Sequence, residues 1–154
     1  MSMGLSTSAI AVTRDRLSLP ELIGPVLLPR RFALANPMNL IRILAGLYYL
    51  PHIYQKLSGI DSSLTFFGNA GLRPAPVFLA LALVCEISAM VGLTFGVLVR
   101  WIGLASAGCL IVAAYAMFAT KGLNWYWAKG GVEYLVFWSL ISVAIAVDAW
   151  RREA

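Results

Sequence analysis

The chain has 154 residues, of which 60% are hydrophobic and only 12% charged, with a mean hydropathy of +0.81. So few polar side chains cannot clothe a soluble globule of this length, so lipid must serve as part of the solvent. The net charge of +5 forms no basic helical stripe and accompanies no nucleic-acid motif, which leaves membrane topology, not nucleic-acid binding, to explain it.

Residues 1–37 read as a cytoplasmic or interfacial segment preceding a membrane domain over 38–154. Leu5–Val12 is too short and too interrupted by Ser6, Thr7 and Ser8 for the apolar core of a signal peptide. Leu17–Leu28 is apolar but carries Pro20, Gly24 and Pro25, which suits a segment lying on the inner surface or docked on a partner better than a regular span.

Four apolar runs follow, Asn39–Leu57, Val77–Val99, Trp101–Thr120 and Val132–Trp150, each long enough for a hydrocarbon core of about 30 Å. The expected fold is therefore an all-α membrane protein, a four-transmembrane-helix bundle. Arg42 lies near the start of the first run and Lys56 near its end, where long cationic side chains can snorkel to water. The second and third runs form a hairpin with Arg100 at its turn. Ser58–Pro76 is rich in Gly, Asn, Asp and Pro and reads as a loop. With the amino terminus inside, Arg14, Arg16, Arg30, Arg31, Arg42, Arg100, Arg151 and Arg152 face the cytoplasm, against Lys56, Arg73, Lys121 and Lys129 outside. That bias predicts an N-in, C-in arrangement. Trp125, Tyr126 and Trp127 then fall at the outer interface, where amphipathic rings are enriched.

Glu86 is the costliest residue in this scheme. A carboxylate near the centre of a spanning helix costs roughly 2.5–3.5 kcal/mol on insertion scales, and such groups usually face a protein interior, a cavity or a partner charge. At about 1.5 Å per residue, Glu86 lies roughly 13 Å below the outer start of its run and His52 roughly 9 Å below the outer end of its own. Gln55 and Lys56 share a helix face with His52 at spacings of three and four. Glu133 enters at the outer end of the last run. A cluster of His52, Lys56, Glu86 and Glu133 would offset the burial of each charge. Its plain reading is an ion pair that fixes helix register. Its functional reading is a pocket in the outer half that, with Gln55, Tyr48, Tyr49 and Tyr115, suits a quinone head group and the passage of protons, or equally a different small amphipathic ligand. Glu86 and His52 would do the proton chemistry there. One histidine and two glutamates make no convincing metal set, and no intrinsic cofactor motif is present.

Cys85 and Cys109 lie inside apolar runs without CxxC spacing and read as small buried hydrophobes. Ser88, Gly92 and Gly96 form a small-residue row for close helix packing, which leaves a homo-oligomer open as well; Gly103, Ala107 and Cys109 give the next run a similarly slim surface.

Three stretches carry a family resemblance. Pro51-His52-Ile53-Tyr54-Gln55-Lys56-Leu57-Ser58-Gly59 resembles the end-of-first-helix signature of the DoxX family, with Ile53 where a glycine is frequent. Cys85-Glu86 through Gly92-Leu93 and Gly96 to Arg100 is similar to the family's second-helix glutamate, glycine row and arginine turn, and Gly130-Gly131-Val132-Glu133-Tyr134 to its entry into the fourth helix. The resemblance implies a small multi-pass protein of the bacterial inner membrane. Some relatives are subunits of a thiosulfate:quinone oxidoreductase, others accompany oxidative-stress enzymes and distant ones act as cargo receptors or receptor chaperones, so the resemblance fixes no single activity. Taken with the polar cluster, it leads to the expectation of an oxidoreductase partner subunit and a quinone or proton site. A noncatalytic membrane anchor or assembly factor is the alternative. A small-solute or proton transporter fits less well, because no inverted repeat is evident.

Overall fold

The computed structural model describes residues 23–153, so expectations for residues 1–22, including the first part of the Leu17–Leu28 stretch, lie outside the described residues. The architecture is all-helical: α1 (Pro37–Leu47), α2 (Tyr49–Ser58), α3 (Ile60–Asn69), α4 (Ala75–Phe95), α5 (Val99–Lys121), a single 3₁₀ turn over Trp127–Lys129, and α6 (Glu133–Glu153). Among the described residues three helices are long and apolar enough to cross a membrane, over Ala75–Phe95, Val99–Lys121 and Glu133–Arg152.

The expected first span is not one helix. Its 11-residue α1 and 10-residue α2 are joined through Tyr48, and each is roughly 15–17 Å long, too short to cross alone. Pro51 accounts for the break. It has no N–H for the carbonyl of Leu47 four residues back, and its ring crowds that carbonyl, so the ladder restarts with proline inside the first turn of α2. At the other end, the Asn36 side chain accepts from the Met38 N–H at 3.0 Å and Pro37 takes the first helical position, which together start α1.

Ser58–Pro76 is not a plain loop either, because it contains α3. Ile60, Leu64 and Phe67 recur at helical spacing, Asp61 sits in the first turn, and Phe67 is buried, so an apolar stripe prevails over the turn-forming residues that flank it. This short helix packs on α4 and α5.

The α4–α5 turn is formed by Gly96, Val97 and Leu98, and Arg100 is already within α5 and buried. Gly96 ends α4 with φ +70°, a left-handed conformation that glycine adopts at least cost. The described part of the N-terminal segment straps this turn. Leu28 N–H donates to Gly96 O at 2.9 Å, Leu98 N–H to Val26 O at 2.8 Å, and the Leu28 side chain is buried.

Arg42 does not snorkel. It is 1% exposed and donates to the carbonyls of Leu93, Thr94 and Arg31, so its guanidinium caps the open carbonyl end of α4. Beside it, fully buried Asn39 donates to Arg30 O and Ala33 O at 2.9 Å each and accepts from Arg152 at 2.8 Å, while Arg152 also pairs with Asp148. These contacts fix the N-terminal strap, α1, α4 and α6 to one another at the same end of the bundle.

Between α5 and α6 the seam is made of small residues, Gly103, Ser106 and Ala107 against Ser139, Ser142 and Ala146. Without a hydrophobic drive between helices in lipid, such residues allow the close approach that packing requires. A Cβ on Gly103 would lie 2.9 Å from Ser142 O. Gly92 likewise meets Ile102 of α5, whereas Ser88 is exposed and takes no part in the packing row.

Replacing Arg42 with methionine keeps much of the stem but removes the cap from three carbonyls. Stability in detergent should fall by about 3 kcal/mol, since buried acceptors left unpaired cost about 1–3 kcal/mol each and the strap loosens only in part. An unchanged thermal unfolding midpoint would show that Arg42 does not hold this end together.

Candidate functional site

Away from the Arg42 end, the helices enclose a mainly apolar cavity of about 760 Å³, lined by residues of α2 to α6 together with Ala45 of α1, Tyr48 and the 3₁₀ turn. This is the volume of a site for a small organic ligand. Its polar centre is the Lys56–Glu86 pair, Nζ donating to Oε1 at 2.7 Å. The break before α2 and the packing of α2 on α4 bring the two together. Glu86 is 8% exposed, in the middle of α4, and Lys56 is partly buried near the end of α2. An ion pair at this depth is tolerated because Coulomb attraction and a charge-assisted hydrogen bond offset the loss of water.

The pair is only half satisfied. Glu86 Oε2 is buried and has no hydrogen-bond partner among the described residues. A buried carboxylate oxygen of this kind is a strong acceptor without a donor, and it belongs to a residue that lines the cavity.

Below the pair runs a chain of hydroxyls. Tyr49 Oη lies 2.7 Å from Ser106 Oγ, which lies 2.9 Å from Ser142 Oγ, linking α2, α5 and α6 through buried groups. One flank of the cavity is aromatic. Tyr48 and Trp138 stand 5.5 Å apart between ring centroids, and Tyr134 meets Trp138 edge-on at 5.9 Å. Phe66 and Phe67 of α3 line the same cavity.

The DoxX family model matches residues 38–119, more than half of the chain. The chain belongs to the DoxX family. No curated protein and no solved structure matches it. The matched range of this DoxX protein includes Pro51–Gly59 and Cys85–Arg100, and it ends before Gly130–Tyr134.

Of the residues singled out in the sequence, Tyr48, Tyr49, His52, Gln55, Lys56 and Glu86 all line the cavity. His52 and Gln55 do so from its exposed edge, and no hydrogen bond joins His52 to Glu86. Two residues are placed elsewhere. Glu133 closes the loop before α6, its Oε1 accepting from the Trp127 N–H at 3.3 Å, because an acidic group at a helix start pairs readily with nearby amides. Tyr115 is exposed on α5 and absent from the lining, whereas Ala116 and Met117 turn inward.

The DoxX cavity also contains groups the sequence reading missed. Tyr134 and Trp138 recur at i, i+4 on α6, a spacing that marks a shared face but not which face. Phe66 and Phe67, an aromatic pair in Ser58–Pro76 whose sequence suits a segment folded back over the bundle, reach the cavity on α3. Among the described residues no group of three His, Cys, Asp or Glu side chains is placed to hold a metal ion.

Substituting Lys56 with methionine leaves the Glu86 carboxylate buried without its counter-charge and should lower stability by about 3 kcal/mol. The double variant K56M/E86Q removes both charges and should recover most of that loss. Equal destabilisation of the single and double variants in a detergent denaturation series would contradict a coupled pair.

Proposed function

We propose that this DoxX-family chain is a membrane subunit of an oxidoreductase and that its cavity is a quinone and proton site. The observation that carries this reading is the orphaned Glu86 Oε2 in an aromatic-walled cavity whose other charged lining residue, Lys56, is already paired. A quinone is flat, has two carbonyl acceptors, and becomes a donor at both oxygens on reduction. Lys56 keeps N–H donors beyond the one given to Glu86 and can serve a quinone carbonyl, whereas Glu86 Oε2 can accept from a quinol hydroxyl. Tyr48, Tyr134 and Trp138 supply ring faces, and the remaining apolar lining suits a prenyl tail.

In this reading Glu86 is the proton acceptor, Lys56 holds its charge, and His52, at the exposed edge, exchanges protons with water. The electrons come from a partner subunit, since the chain has no redox cofactor motif. The α1–α2 segment serves as the fourth crossing, its residues from Pro37 to Ser58 spanning roughly 33 Å if the two helices run end to end. The bias of basic residues then puts the Arg42 end in the cytoplasm and the cavity in the outer half of a bacterial inner membrane.

A noncatalytic anchor needs a surface for its partner, either the N-terminal segment with its apolar Leu17–Leu28 stretch or the outer loops. The described end of that stretch is occupied with the chain's own α4–α5 turn, which favours the ligand-site reading. A merely register-setting ion pair leaves the cavity and the orphaned oxygen unexplained.

Trp127 and Trp138 line the cavity, so quenching of tryptophan fluorescence by decylubiquinone reports its occupancy. The wild type should bind, and E86Q, expressed and folded normally, should bind at least tenfold more weakly, a difference of about 1.4 kcal/mol. Equal binding by the two proteins would remove Glu86 from the site.

A further inference from the structure

The two cysteines lie 24 positions apart and share no motif, yet the α4–α5 hairpin brings them to one place. Cys85 Sγ lies 3.6 Å from the carbonyl of Ala105, the carbonyl one helical turn before Cys109. Both are free, both are only partly buried, and both line the cavity that Glu86 enters. Small structural cysteines belong in a packed core, as Ala89 and Ala107 do here, not side by side on the wall of a ligand-sized space.

We propose that Cys85 and Cys109 form a redox-active dithiol that closes to a disulfide inside the cavity and gives its two electrons to the quinone bound there. The inference rests on the quinone reading above and adds a redox group of the chain's own. In the step, two S–H bonds break and one S–S bond forms. The dithiol loses two electrons, the quinone gains them, and the two protons end on the quinone oxygens, so that dithiol and quinone become disulfide and quinol with no further co-reactant. These are the chain's only two cysteines, so the bond within one chain has no competing thiol of its own. Adjacency is the first requirement, because a disulfide tolerates only a narrow range of geometry. Access is the second, and the shared cavity supplies it to an oxidant that a tightly packed core would exclude.

The test starts from purified full-length protein, reduced, freed of reductant and held without oxygen. Diamide is added to one portion and decylubiquinone to another, and alkylation followed by intact mass counts the remaining thiols while absorbance measures quinol. Both oxidants should remove the two thiols as a disulfide within one chain, and the quinone portion should yield about one quinol per chain. C85S and C109S, checked for helix content and monodispersity, should give less than a tenth of that quinol. If diamide fails to close the bond, the sulfurs cannot meet and the proposal is wrong. If decylubiquinone quenches the tryptophans but both thiols persist, the dithiol proposal fails and the quinone site stands. If decylubiquinone neither quenches nor oxidises, the quinone reading and this proposal fall together.

Discussion

A carboxylate halfway along a membrane-length helix must be neutralised, and here a lysine on a neighbouring short helix does so at 2.7 Å. Much of the surrounding structure follows from bringing Lys56 to Glu86. Pro51 breaks the first apolar segment, α2 restarts and packs on α4, and α3 folds back against α4 and α5. The ion pair lines the space these helices surround, and its second carboxylate oxygen is left without a donor among the described residues. Low dielectric makes that arrangement costly and therefore informative: a strong acceptor kept dry beside an apolar cavity is well matched to a ligand that brings its own O–H or N–H.

Opposite ends of the bundle solve different problems. At the Arg42 end, guanidinium and amide groups satisfy helix-terminal carbonyls and the N-terminal strap is hydrogen-bonded to the α4–α5 turn, with Thr94 Oγ1 and the Nε atoms of Arg42 and Arg152 left buried without a partner among the described residues. At the cavity end, packing is looser and the lining is aromatic. The small-residue seam between α5 and α6, with its line of hydroxyls from Tyr49 through Ser106 to Ser142, joins the two and gives the cavity a rigid floor. A fixed end and an open end in one bundle allow a site to be preorganised without filling it.

Residues whose signal is local were legible in the sequence. A charge within an apolar run identifies Glu86 whatever the fold, and i, i+3 and i+4 spacing puts His52, Gln55 and Lys56 on one side of a helix. Residues whose role depends on a neighbouring helix were not. Arg42 looked like a snorkelling cation because its distance from the end of its own segment says nothing about the carbonyls of Leu93 and Thr94 beside it. Cys85 and Cys109 looked inert because their meeting depends on hairpin register, which pattern alone does not give. Glu133 has the right depth for the cluster, but its own loop offers the Trp127 amide at shorter range. Family membership is secure over residues 38–119 and constrains architecture more than chemistry, so the case for a quinone rests on the cavity and its unmatched oxygen.

The most direct measurement is the quinone content of the wild-type protein extracted from its native membrane in a mild detergent and analysed by mass spectrometry. A site of this volume with an acceptor waiting for a donor predicts close to one quinone per chain. Protein that is folded, monodisperse and free of quinone, even after incubation with an excess of it, would contradict the account.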